Sequence, residues 1–93
     1  MPGRRAGERG GIKHAEGRLA AIVEAQRRLR SADGAEVGGT VAVARAVLSA
    51  WQDGFVAALD RGGLWPAYRR GGVEELEALI AALAGTLLMR CAE

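Results

Sequence analysis

The sequence predicts an all-α fold: a three-helix antiparallel bundle with a flexible basic N-terminal arm, completed by oligomerisation. Three observations carry that expectation. Apolar residues recur at spacings of three and four in three separate segments, the period of a helix face. Glycine stands at each boundary between segments, where it can end a helix in a left-handed conformation. The last segment, 73–90, carries no charged residue between Glu77 and Arg90. A surface helix keeps a polar face in water. This one needs cover on nearly all sides, more than a chain of 93 residues supplies, so a second copy or a partner is expected.

The length gives one domain. Residues are 49% hydrophobic but only 4% aromatic, and alanine makes up much of the apolar content. Alanine favours helix and buries little area, so the core should be thin. Oligomerisation is the usual source of extra burial for such a chain.

Residues 1–11 read as the arm, with Pro2 and four glycines among charged residues. Residues 12–93 read as a single helical domain. The first helix is expected over 12–32. Ile12, Ala15, Leu19, Ile22, Gln26 and Leu29 form its apolar stripe, with Val23 beside them. Lys13, Glu24, Arg27 and Arg28 lie opposite, and Glu24 and Arg28 are one turn apart in the favourable order. Gly17 weakens this helix by about 1 kcal/mol against alanine. Asp33-Gly34-Ala35-Glu36 combines a stop with a capping box, so the first two helices should be antiparallel neighbours.

The second helix is expected over 35–61. Val37, Val41, Ala44, Leu48, Trp51, Phe55 and Leu59 form one stripe, and Val43, Val47, Ala50 and Ala57 a second. An apolar arc of roughly 220° makes this the central helix. Gly38-Gly39 either permits close packing or delays the helix until Thr40 caps it. Gly62-Gly63 ends the helix, and the segment 64–70 leads to Gly71-Gly72, with Pro66 able to open one turn. The third helix starts near Val73, where Glu74, Glu75 and Glu77 suit its positive end. Val73, Leu76, Leu79, Ile80, Leu83 and Leu87 should face the other helices. Ala78, Ala81, Ala82, Gly85, Leu88 and Met89 lie opposite, where small residues let another backbone approach.

Charge is unevenly spread. Residues 1–30 hold eight basic residues against three glutamates, and the remainder five basic against eight acidic. These ends can attract each other within the fold or between subunits. The basic series Arg4, Arg5, Arg9, Lys13 and Arg18 could also track a phosphate backbone. Trp65, Tyr68, Arg69 and Arg70 are the residue types of binding hot spots, and of stacking on bases. The competing reading has Leu64 and Trp65 plugging the end of the bundle while the arginines are solvated.

Nothing points to catalysis. His14 is the single histidine, and Glu16 lies on a different helix face, so no metal ligands converge. Cys91 is the single cysteine, which excludes an intrachain disulfide and fits a reduced, cytoplasmic protein. The glycine pairs lack the Gly-Lys-Ser/Thr of a phosphate loop. The longest apolar run, 78–89, falls short of the roughly 20 residues that span a bilayer. The abundance of alanine, glycine and arginine suggests a GC-rich bacterial or phage genome.

The leading expectation is therefore a small non-enzymatic protein–protein interaction module, without cofactor, metal or small-molecule substrate. It would form a homodimer or dock on a partner through Ala78, Ala81, Ala82, Gly85, Leu88 and Met89, extended by Trp65 and Tyr68. The alternative is a nucleic-acid-associated accessory protein or small regulator using Arg4, Arg5, Arg9, Lys13, Arg18, Arg69 and Arg70.

Overall fold

A computed structural model describes residues 5–31 and 37–92, with side-chain environments over 10–31 and 39–86. Three helices account for nearly all of them: α1 (Arg5–Ser31), α2 (Val37–Arg61) and α3 (Trp65–Ala92). No strand occurs among the described residues. Consecutive helices run antiparallel. Trp51 of α2 meets Gly72 of α3, and Gly54 meets Arg69. Glu24 of α1 meets Trp51, and Ser31 lies with Val43 along one groove.

Helix starts differ from expectation in all three helices. α1 begins at Arg5 rather than Ile12, so residues 5–11 of the expected arm are helical. Ala6, Glu8 and Arg9 are good helix formers and offset the neighbouring glycines. Arg4 and the side chains of Arg5 and Arg9 lie outside the described residues. α2 begins at Val37 and runs through Gly38-Gly39, so Thr40 is inside it rather than capping it. The expected cap and turn at 33–36 also lie outside the described residues.

The largest correction concerns α3. It is one helix of 28 residues from Trp65, and Gly71-Gly72 lies within it instead of before it. Glycine inside a helix costs about 1 kcal/mol against alanine. Tight packing explains why it is used here. A Cβ at Gly71 would collide with the His14 carbonyl, one at Gly17 with the Tyr68 carbonyl, and one at Gly72 with the Trp51 ring. α1 and α3 therefore cross backbone against backbone. Gly62 and Gly63 do end α2, with φ of 71° and 65°, in the left-handed region that favours glycine. The Gly62 N–H closes the helix by donating to the Ala58 carbonyl at 3.0 Å.

These glycines also change which helix is central. α1 and α2 each pack along α3 and touch each other far less, so α3 is the middle helix and not α2. The core joins Ala21 and Ala25 of α1, Val47 and Trp51 of α2, and Leu76 of α3. Leu76 is the largest completely buried side chain among the described residues, and alanines supply much of the rest. The thin core expected from composition is what forms.

α1 is turned away from its expected orientation. Its buried positions are Gly17, Ala21 and Ala25, spaced by four. The expected stripe faces out: Leu19 is 66% exposed and Ile12 58%, and Ala15 and Gln26 are exposed too. Small side chains shorten the distance between helix axes. Approach close enough for Gly17 to meet the Tyr68 backbone leaves no room for leucine or isoleucine on that side.

Candidate functional site

α3 changes character along its length. Up to Leu76 it is held by both neighbours. From Glu77 to Thr86 no residue is fully buried: Leu79 still packs against the core, while Ala78, Ala81 and Ala82 are exposed. A Cβ at Gly85 would meet nothing within 4 Å, so open space lies beside it. Thus four of the residues expected to form an interface sit on an uncovered stretch. The side chains of Leu88 and Met89, expected to complete it, lie outside the described residues.

Trp65 and Tyr68 do not join that stretch. One continuous helix places Trp65 about 20 Å from Ala78 along its axis, at 1.5 Å per residue. They belong instead to an aromatic ladder. The Trp51 and Tyr68 ring centroids are 5.6 Å apart. Trp65 meets Tyr68 edge to face at 5.8 Å and remains 51% exposed as the outer rung. The indole N–H of Trp51 donates to Glu24 Oε2 at 3.1 Å. This bond places Glu24 on the side of α1 facing the bundle.

The candidate cations are dispersed and mostly engaged. Lys13 bonds Glu16 at 3.0 Å, and Arg18 bonds Glu75 of α3 at 2.8 Å. The Arg69 guanidinium lies 4.7 Å from the Trp51 ring centre and Arg70 lies 5.6 Å from that of Phe55. His14 donates from Nε2 to Glu74 Oε2 at 2.6 Å. Glu74 and Glu75 are about ten residues inside α3, so they cannot act on its first turn as expected. They tie the basic α1 to α3 instead, the internal version of the charge attraction seen in the sequence.

An open groove of about 660 Å³ runs beside the ladder, lined by Leu19, Val23, Trp51 and Tyr68 with Glu16, Glu24, Arg27 and Arg69 at its polar edges. Its mixed charges select no ion. No group of three His, Cys, Asp or Glu side chains among the described residues could hold a metal. No helix among them is long and apolar enough to cross a membrane.

The feature that sequence reasoning missed is the exposed stripe of α1. Its spacing is visible in the sequence but reads there as a core face. The signal against that assignment was Gly17, Ala21 and Ala25, a row of small residues on the opposite side that favours close helix contact. No protein-family model, curated protein or solved structure matches the chain.

Proposed function

We propose that this chain is a non-enzymatic helical interaction module that associates with a second copy of itself, with the open stretch of α3 as one contact. The observation that carries the reading is exposed apolar surface. Ala78, Ala81 and Ala82 of α3 are exposed, and Ile12, Leu19, Val56, Leu59 and Trp65 are each more than half exposed. Contiguous apolar surface marks an interaction site. Ala78, Ala81, Ala82 and Gly85 supply a surface that another helix can approach closely, and Leu88 and Met89 follow on the same side by sequence.

Light scattering on Ala82→Arg and Leu88→Glu tests this. Each should lower the assembled mass while helicity by circular dichroism is kept. An unchanged mass in both would remove α3 as the contact.

A nucleic-acid accessory role has less support. Lys13, Arg18 and Arg69 are engaged within the chain, and Arg70 stacks on Phe55. Its test is duplex DNA and single-stranded RNA binding against salt, with a triple Arg4/Arg5/Arg9→Ala variant. That reading requires weaker binding and a flatter salt slope in the variant.

A further inference from the structure

The outward stripe of α1 is left largely uncovered by the rest of the chain, yet its spacing is that of a helix–helix seam. Ile12, Ala15, Leu19, Ile22, Gln26 and Leu29 alternate by three and four, as coiled-coil contact positions do. Ile12, Ala15, Leu19 and Gln26 are exposed, Ile22 and Leu29 are partly buried, and Val23 beside them is 37% exposed. The same helix meets α3 through a different set, Gly17, Ala21 and Ala25. α1 therefore carries two packing faces, and only the small one is used.

We propose that the large face takes α1 of a second copy, laid antiparallel across a two-fold axis near Val23. This rests on the self-association reading above and names a second surface for it. Charge selects the occupant and its direction. Glu16 and Arg30 flank the seam seven residues before and after Val23, and both are exposed. Glu16 bonds Lys13 of its own helix at 3.0 Å, with a second carboxylate oxygen left to accept from Arg30. An antiparallel copy brings Glu16 of each chain to Arg30 of the other. In a parallel copy Glu16 would instead face Gly11 and Arg30 would face Ala25, so neither finds an opposite charge. A two-fold contact uses the same patch on both chains, so one seam suffices for both. Gln26 is the polar seam residue, a type that fixes register in coiled coils. The open stretch of α3 is a separate surface, and a chain with two self-complementary contacts builds tetramers or longer assemblies.

Charge reversal followed by light scattering tests the proposal. Glu16→Arg and Arg30→Glu should each reduce the assembled mass two-fold at the same protein concentration. The double variant should restore it, and Leu19→Glu should dissociate the contact irrespective of flanking charge. Val23→Cys, in a Cys91→Ser background, should form an interchain disulfide on mild oxidation. Circular dichroism confirms folding in each case. If Leu19→Glu dissociates the assembly but the double reversal does not restore mass, the antiparallel arrangement is wrong. If all α1 variants keep full mass while Ala82→Arg loses it, self-association stands and the seam is not its surface. A wild type that stays monomeric overturns both.

Discussion

The two faces of α1 are both apolar, but they have opposite fates. Gly17, Ala21 and Ala25 are buried against the rest of the bundle, whereas Ile12 and Leu19 stand in water. Hydrophobic area alone predicts the reverse, because leucine and isoleucine lose more by exposure than alanine does. The difference is distance. α3 presents Gly71 toward the His14 backbone, and α1 presents Gly17 toward the Tyr68 backbone. At that separation only small residues fit. The large face is left for a neighbour at ordinary helix spacing, 8–10 Å in general. On the proposed reading, what looks like a frustrated helix has two partners, the first inside the chain and the second outside it.

Substitutions should divide along the same line. The largest effect is expected at Gly17. Gly17→Leu would force two backbones apart, a loss on the order of 5 kcal/mol, comparable to the whole stability of a domain this size. The variant should lack a cooperative thermal transition. Leu76→Ala opens a cavity where the three helices meet and should cost about 3 kcal/mol in urea unfolding. Trp51→Phe keeps the ring contacts but removes the bond to Glu24, for about 1 kcal/mol by the same assay. Glu75→Gln breaks a half-exposed pair with Arg18, worth about 0.5 kcal/mol and weaker still in high salt. On the outer face, Leu19→Ser should change the unfolding of dissociated chains by less than about 0.5 kcal/mol. A large loss there would mean that the face is packed within the chain after all.

Much of this architecture could be read from residues alone. The three helices, the Gly62-Gly63 turn, the inward positions of Val41, Ala44 and Trp51, and the fully buried Leu76 all follow from period and turn chemistry. The uncovered stretch at Ala78, Ala81, Ala82 and Gly85 was visible in the missing charges. Three features were not legible. Gly71-Gly72 reads locally as a helix stop, and only the opposing His14 backbone and Trp51 ring reveal it as a packing notch. The orientation of α1 is hidden because periodicity reflects hydrophobicity and ignores side-chain volume. The roles of Glu74 and Glu75 followed from where α3 was thought to start. Moving that start to Trp65 places them beside His14 and Arg18. As for the candidate cations, sequence shows which residues are basic but not that Arg69 lies across Trp51.

A chain with two uncovered apolar faces should assemble. Sedimentation equilibrium of the wild type over a range of concentrations tests that most directly. The expected result is a species at a multiple of the 9.7 kDa chain mass that persists in high salt. A fully folded 9.7 kDa monomer at every concentration would contradict it, leaving the outer face of α1 and the open stretch of α3 with no second copy to cover them.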